Sequence, residues 1–440
     1  MVARRKVAVV GVALSDCGRV DDATPYALHA QAARRSLADA GLDRALVDGF
    51  ASAGLGTLAP VEVAEYLGLR PTWVDSTSVG GSTWEVMAAH AADAIAAGHA
   101  RAVLLVYGST ARADVRAGRR TGTLSFGTRG PLQFEVPYGH TLIAKYAMAA
   151  RRHMIEYGTT IEQLAEVAVQ ARANAALNPE AMFRTPITVD EVLSGPMIAD
   201  PFTKLHCCVR SDGGAAVLLV AEEYVRDCRT SPVWVLGSGE AVSHAAMSEW
   251  PDFTVSPAAV SGRLAFERAG VRPAEIDVAE IYDAFTYMTL VTLEDLGFCG
   301  KGEGGAFVEK GRLRVDGGES QSCGGHGGGN QHLALPGPFL GDDLRGAFRR
   351  QHQTVACRRF RRPAVQPDGP ALPVRLHADG LPEPAHLIRC ELDEARGAPG
   401  RRISHLLIRS EEGRSRLQRA DAPIGAVGMV SPLGFEPRTL

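Results

Sequence analysis

Residues 74–98, VDSTSVGGSTWEVMAAHAADAIAAG, contain a short strand that breaks at small residues and opens a helix. The helix from Ser82 to Gly98 is unusually rich in small apolar residues, which allow close packing on all sides. We therefore expect this helix in the interior, followed by the strand at 101–109, RAVLLVYGS. A turn from a strand into a helix often carries a nucleophile or an anion site, and five hydroxyl side chains compete for that role here.

Several known turn motifs do not fit this stretch. It lacks the lysine that follows the glycines of a phosphate-binding loop, and it is not G-x-G-x-x-G. It also lacks the G-x-S-x-G pattern of a serine-hydrolase elbow. A tight turn that glycine permits for structural reasons alone is the alternative interpretation.

Strands alternate with helices on both sides of this stretch. Lys6 to Ala13 is a β-branched apolar run, and the helix after it has Thr24 as N-cap, Pro25 at the first position and Gly41 as its stop. The later half repeats the pattern, with a strand at 233–241 and a helix that begins at Ser256 and Pro257 and ends at Gly270.

The sequences of the two halves can also be aligned. RSLADAGLDRALVD (35–48) lies over LAFERAGVRPAEID (264–277) without a gap. A duplication at this distance favours two similar α/β halves over a solenoid, whose repeats are far shorter. We predict one half at 1–230, with an insert at about 111–199, and a second half at 231–335.

Residues 336–440 form an atypical tail dominated by Arg, Pro, Gly and Ala. The tail is either a disordered segment or the product of a shifted reading frame in GC-rich DNA. Under both interpretations we expect no catalytic residues in it.

Composition excludes several classes of protein. The chain has 440 residues, 45% of them hydrophobic and 22% charged, with a formal net charge of −3, all ordinary for a globular protein. Nothing in these values indicates a nucleic-acid partner or an anionic membrane surface. No apolar run approaches the ~20 residues of a spanning helix and no signal peptide is recognisable, so we expect a cytoplasmic protein with reduced thiols at its eight cysteines.

Three further segments hold reactive side chains. In DPFTKLHCCVRSDGGAAVLLVAEE (200–223), His206 and the two cysteines after it are adjacent, without the spacer of a zinc site, so we expect packing and no metal. In EIYDAFTYMTLVTLEDLGFCGKGEGGAF (280–307), Tyr282 and Asp283 end a predicted strand before a helix, where α/β proteins place catalytic groups. A buried structural tyrosine is the alternative there. GGESQSCGGHGGGNQH (317–332) is either a glycine-rich ligand loop around His326 or a flexible linker.

Taken in order, these segments resemble the thiolase superfamily, in the branch of sterol-carrier-protein-X thiolases and lipid-transfer proteins. The resemblance covers about residues 5–335 and rests mainly on HCCVRSDGGAAVLLV (206–220) and EIYDAFTYMTLVTLEDLGFCGKGEGG (280–305). It implies an α/β fold of two duplicated ββαβα halves in a layered α-β-α-β-α architecture. The family carries a cysteine where Ser78 stands and a histidine where Tyr282 stands, and Y-D-x-F at this place resembles the steroid side-chain-cleaving aldolases.

The resemblance therefore implies a carbon–carbon lyase that cleaves a β-hydroxyacyl-CoA, plausibly a steroid side-chain intermediate, by a retro-aldol reaction. Tyr282 would be the base or proton relay, Asp283 would orient the site, and His326 would serve as the acid, since the second tyrosine of related aldolases is missing after Tyr287. Ser78 occupies the inherited nucleophile position. The residues expected to line the substrate and CoA site are Gly80, Gly81, Ser82, His206, Gly327 and Gly328.

The same resemblance implies a homodimer, a small partner protein with an OB fold and a zinc ribbon, and coenzyme A as part of the substrate, with no bound cofactor. Two alternatives remain open at this point. One is an acyltransferase of the acetyl-CoA acetyltransferase type, and the other is a non-catalytic protein that binds acyl-CoA or lipid.

Overall fold

The computed structural model of the protein describes residues 5–56, 58–118, 130–138, 141–276, 278–314 and 324–325. The strands are β1 (Val7–Leu14), β2 (Gly49–Ala51), β3 (Trp73–Asp75), β4 (Ala102–Ser109), β5 (Met197–Ala199), β6 (Phe202–Thr203), β7 (Gly213–Ala221), β8 (Val233–Trp234), β9 (Val278–Ala279) and β10 (Gly324–Gly325). The helices are α1 (Pro25–Ala40), α2 (Ala59–Tyr66), α3 (Thr83–Ala96), α4 (Ala111–Arg116), α5 (Leu132–Glu135), α6 (Leu142–Tyr157), α7 (Ile161–Ala176), α8 (Val189–Leu193), α9 (Ala258–Ala269), α10 (Thr286–Asp295) and α11 (Gly304–Val308).

Six strands form one mixed sheet in the order β3-β2-β4-β7-β1-β8. β2 runs parallel to β3 and β4, whereas β7 pairs antiparallel with both β4 and β1, and β8 is antiparallel to β1. Every residue of β1 and β7 is buried, which explains why both strands read as continuous apolar runs rather than alternating ones.

Helices cover both faces of this sheet. Val7 and Val9 of β1 pack in the core cluster that contains α3, while Ala8 and Val10 pack in the cluster of α1 and α2 on the opposite face. This alternation follows from the two-residue period of a strand. The sheet is therefore the middle of three layers.

The predicted ends of α1 are confirmed. Thr24 accepts a hydrogen bond from the Ala27 amide at 3.2 Å, Pro25 is the first helical residue, and Gly41 ends the helix at φ 74°. The predicted interior helix is also confirmed, since ten of the fourteen residues of α3 are buried and the chain continues into β4.

A second core lies around α6, α7 and α10. The apolar side chains of α10 and of its two flanking residues are buried; they are Phe285, Met288, Leu290, Val291, Leu293 and Leu296. Beneath them His153 of α6 contacts Glu294 at 3.0 Å, and the Lys301 ammonium lies 3.2 Å from Glu294 and 2.6 Å from Asp295. This ionic cluster joins α6 to the end of α10 and the glycine-rich turn after it.

One predicted strand is much shorter than expected. Of residues 233–241, Val233 and Trp234 form the strand β8, and the Val235 amide donates one more hydrogen bond to the Val7 oxygen of β1 at 2.9 Å. Gly237 and Gly239 instead pack closely against α9. A Cβ at Gly237 would lie 2.5 Å from the Ala269 nitrogen, and a Cβ at Gly239 would lie 2.1 Å from the Ser261 oxygen. The prediction of a strand as far as residue 241 was wrong, because these glycines allow the chain to approach α9 closely and glycine weakens a strand.

The predicted helix of the later half is present as α9. Ser256 Oγ accepts a hydrogen bond from the Ala258 amide at 3.2 Å, and Gly270 ends the helix at φ 69°. β9 pairs in parallel with β10. The boundaries of the two halves stay predictions, and the predicted tail at 336–440 lies outside the described residues.

Candidate functional site

The turn between β3 and α3 is held by its own hydrogen bonds. Asp75 Oδ1 accepts from both the amide and the hydroxyl of Thr77 at 2.8 Å. Thr83 Oγ1 accepts from the Val79 amide at 3.0 Å and donates to the Gly80 oxygen at 2.7 Å. Gly80 has φ 88°, a conformation that favours glycine. The shape of the turn is thus fixed before any ligand binds.

A histidine ties this turn to the later half of the chain. His90 Nδ1 lies 2.8 Å from Asp75 Oδ2, and its Nε2 lies 3.3 Å from Glu240 Oε2. The hydrogen bonds to Asp75 and then Glu240 raise the pKa of His90 to about 10, so the ring is an imidazolium at neutral pH. Burial alone would raise the pKa of Asp75, but the contacts with His90 and Thr77 bring it below its ordinary value.

Tyr282 lies directly on the turn. It follows β9 by three residues, and its ring packs so closely on Gly81 that a Cβ at that position would be 2.5 Å from both Cζ and Oη. The structure therefore brings together the two segments that the sequence singled out separately. Gly81 leaves the space that the Tyr282 phenol fills.

The surroundings of Tyr282 keep its phenol protonated. Desolvation is the largest cause that raises its pKa well above 10, followed by the electrostatic effects of Cys208, Tyr146, Asp283 and Glu85. A phenol in this state donates a hydrogen bond readily but is a poor base by itself.

Asp283 and Cys208 lie beside Tyr282. The Cys208 amide donates to the Ala284 oxygen at 3.0 Å, which aligns the two segments. Asp283 is 7% exposed, its Oδ2 has no hydrogen-bond partner among the described residues, and burial raises its pKa well above the ordinary value. Desolvation and then Asp283 raise the pKa of the Cys208 thiol to about 11. Burial therefore disfavours the ionised form of both groups.

Tyr146 and Glu85 also act electrostatically on Tyr282, and neither residue was predicted from the sequence. Tyr146 lies on α6, is 6% exposed, and has its ring centroid 4.7 Å from that of Phe285. Glu85 lies in the first turn of α3. Glu85 could have been found as one of the two acidic residues in the alanine-rich α3.

The other predicted site residues are placed as follows. Ser78 and Gly80 are exposed on the turn, whereas Ser82 is buried and its hydroxyl has no hydrogen-bond partner among the described residues. His206 is buried, its Nδ1 accepts from the Thr203 amide at 3.2 Å, and burial lowers its pKa to about 4. Their roles in binding stay predictions. His326, Gly327 and Gly328 lie outside the described residues.

Metal and membrane features were also sought in the part of the chain that the structure describes. No three His, Cys, Asp or Glu side chains there come together as a metal site would require. None of the helices in the same part is long and apolar enough to cross a membrane.

The arrangement suits hydrogen-bond donation better than nucleophilic attack by a thiol. The turn carries hydroxyls and backbone amides but no thiol, and the thiol of Cys208, beside Tyr282, resists ionisation because its pKa is raised to about 11. The protonated phenol of Tyr282 is suited to donate a hydrogen bond to a carbonyl oxygen that gains negative charge, and burial favours the protonated, hydrogen-bond-donating form of Asp283 as well.

Comparison with known proteins gives consistent matches. A family model described as "Thiolase C-terminal domain-like" matches residues 239–337. An acetyl-CoA acetyltransferase of Methanothermobacter thermautotrophicus is 35% identical over 324 residues, which are 71% of this chain and 82% of that protein. A 17-hydroxy-3-oxo-4-pregnene-20-carboxyl-CoA lyase of Mycobacterium tuberculosis is 32% identical over 323 residues, 71% of this chain and 84% of the lyase.

A solved structure, that of the Ltp2-ChsH2(DUF35) aldolase, is similar as well. It matches with a TM-score of 0.67 at 29% identity, over 76% of this chain and 87% of that one. Its likeness extends across the described α/β layers rather than one motif.

Proposed function

Because the chain belongs to the thiolase superfamily, in the branch of sterol-carrier-protein-X thiolases and lipid-transfer proteins, we propose that it is a carbon–carbon lyase for a β-hydroxyacyl-CoA thioester. Its layered α/β fold is the thiolase fold. The relatives include both acetyltransferases and lyases at similar identity, so the choice between the two reactions rests on the site.

The contact between Tyr282 and Gly81 favours the lyase over the acyltransferase. It puts a phenol against the turn on which an acyl-transferring enzyme needs an ionisable nucleophile. Ser78 on the same turn has a hydroxyl, whose pKa is far above the ~8.5 of a thiol, and among the described residues no hydrogen bond links it to a base. A retro-aldol cleavage requires no acyl-enzyme.

The name of the mycobacterial relative suggests the substrate class. A hydroxyl on ring carbon 17 and a thioester on side-chain carbon 20 are in the β relation that a retro-aldol reaction requires. Loss of the hydroxyl proton and cleavage of the bond between the two carbons would leave a steroid ketone and propionyl-CoA. A bulky hydrophobic acid of this kind is our proposed substrate.

Each site residue has a separate role in the proposed cleavage. Tyr282 donates to the reacting oxygen and relays a proton, while Asp283, the next residue, orients the site; burial favours its protonated form. Backbone amides of the turn at Gly80 and Gly81 hold the thioester oxygen as it becomes an enolate. His326 remains the proposed acid, from outside the described residues.

We also propose a homodimer and a partner protein with an OB fold and a zinc ribbon. Support for the partner comes from the solved aldolase, whose name includes ChsH2(DUF35) next to Ltp2. Coenzyme A enters as part of the substrate.

The decisive experiment supplies a steroid β-hydroxyacyl-CoA to the full chain, alone and co-expressed with such a partner. We expect the steroid ketone and propionyl-CoA in equal amounts, and we expect Tyr282→Phe to lose most of the turnover. Tyr138→Phe is the matched control, because Tyr138 is 89% exposed. If the wild type forms neither product, both alone and with the partner, the lyase proposal is overturned.

An acyltransferase is the second candidate, and one observation favours it. Cys208 places a thiol beside Tyr282 and Asp283, and the residue as a whole is exposed although desolvation of its sulfur raises the pKa of the thiol to about 11. Incubation with acetyl-CoA followed by intact-mass measurement distinguishes the two reactions. A stable acetyl adduct that disappears in Cys208→Ala would support acyl transfer and contradict the lyase.

A further inference from the structure

His90 lies between two carboxylates from distant parts of the sequence. Its Nδ1 is 2.8 Å from Asp75 Oδ2, and its Nε2 is 3.3 Å from Glu240 Oε2. An ionised carboxylate accepts hydrogen bonds and donates none, so a ring placed between two of them fits best with a proton on both nitrogens. The ring is then a cation between two anions, and both of its hydrogen bonds are charge-assisted.

On one side, His90 acts on the turn between β3 and α3. Asp75 Oδ2 contacts His90, while Asp75 Oδ1 accepts from the amide and the hydroxyl of Thr77. His90 follows Thr83 by seven residues, close to two helical turns, so both side chains lie on one face of α3. Thr83 donates to the Gly80 oxygen at 2.7 Å, which shows that this face meets the turn. A shift of the Asp75 carboxylate would therefore move the beginning of the turn.

On the other side, Glu240 belongs to a framework that also carries Tyr282. Gly239, the residue before Glu240, packs closely against α9. The start of α9 is joined to the end of α10, because the Ser256 amide donates to Asp295 Oδ2 at 2.8 Å. Tyr282 stands shortly before the first residue of α10. His90 therefore connects the turn to the same group of helices from which Tyr282 approaches it.

We propose that His90 is a positioning residue for the cleavage, whose two contacts fix the turn against the part of the chain that carries Tyr282. The assignment rests on the proposed lyase function. Tyr282 packs on the turn at Gly81, and the backbone amides there are the proposed donors to the thioester enolate. His90 acts on these groups through Asp75 and Glu240. Its loss displaces donors that serve the transition state more than the bound substrate, so kcat should fall more than KM changes.

His90→Gln tests this assignment, because a neutral amide has one donor group where the imidazolium has two on opposite sides. We expect kcat for release of ketone and propionyl-CoA to fall by about 10- to 10²-fold, as for a displacement of up to ~1 Å, with little change in KM. His99→Gln is the matched control, since His99 is exposed just after α3, and it should leave both constants unchanged. Glu240→Ala removes the exposed partner and should lower kcat in the same way by a smaller factor.

A second background separates positioning from a general loss of structure. If His90 places the turn against the Tyr282 phenol, its effect depends on the presence of that hydroxyl. His90→Gln should therefore lower the residual turnover of Tyr282→Phe by a smaller factor than it lowers that of the wild type. A purely structural role would give the same factor in both backgrounds.

The outcomes separate the two proposals. If the wild type forms both products and folded His90→Gln matches its kcat, or loses the same factor in both backgrounds, the positioning role is overturned and the lyase stands. A wild type without products would overturn both. If His90→Gln does not fold, Glu240→Ala decides: a lower kcat at unchanged KM supports the assignment, and a wild-type kcat contradicts it.

Discussion

Replacing Gly81 by alanine tests the position of Tyr282 without touching its chemistry. The new methyl group would lie 2.5 Å from Cζ and Oη of Tyr282, whereas ordinary contacts begin at 3.4 Å. The phenol must therefore move by roughly 1 Å, a displacement that can cost about 10²-fold in rate when it affects a reacting group. We expect a loss of turnover of that order, with a destabilisation of about 1–3 kcal/mol at most, as for other overpacked sites.

The assay is release of ketone and propionyl-CoA, measured beside the thermal midpoint of each variant. Gly195→Ala is the matched control, because its nearest new contacts are 3.3 Å and longer and it lies after α8. In a Tyr282→Phe background the extra loss caused by Gly81→Ala should shrink, since the hydroxyl it displaces is already gone. A folded Gly81→Ala protein with wild-type turnover would refute the reasoning that the fit on Gly81 positions Tyr282.

Two further predictions concern charged clusters. The pKa of His90 is about 10 in the folded protein and ~6.5 when unfolded, so its stabilisation is complete below pH ~6.5 and is lost as the pH rises towards 10. His90→Gln should make the thermal midpoint fall less steeply over that pH range. Parallel curves for the two proteins would contradict the interactions of a charged His90 with Asp75 and Glu240. Lys301→Met should lower the free energy of unfolding by about 3–5 kcal/mol, because it leaves the side chains of Glu294 and Asp295 buried without their cation. Urea denaturation measures this loss, and a change below ~1 kcal/mol would show that the cluster stabilises little.

The local elements could be predicted because their causes are local. Thr24, Pro25 and Gly41 define the ends of α1 through hydrogen bonds and backbone angles within a few residues. The alanine-rich α3 had to be buried, since it offers almost no polar face to water. The strand at 233–241 failed because its glycines respond to α9, which comes later in the chain, rather than to the strand pattern.

The site could be predicted only in pieces. The sequence indicated the turn and Tyr282 separately, but the contact of Tyr282 with Gly81 joins residues about two hundred positions apart and has no local signature. Glu85 and His90 were overlooked because an acidic or basic residue in a helix is usually exposed. Their partners, Tyr282 and Glu240, come from the later half of the chain.

The position of β1 in the sheet has a consequence for synthesis of the chain. Val7 pairs with Ala221 and Val9 with Val233, so the first strand has both neighbours only after more than two hundred further residues have been made. At ordinary rates of translation this takes roughly 10–40 s. During that time VAVVGVAL is an apolar segment without a pairing partner in its sheet, which is the kind of sequence that aggregates. Slow or interrupted translation before β7 should therefore lower the yield of folded protein more than the same pause placed after it.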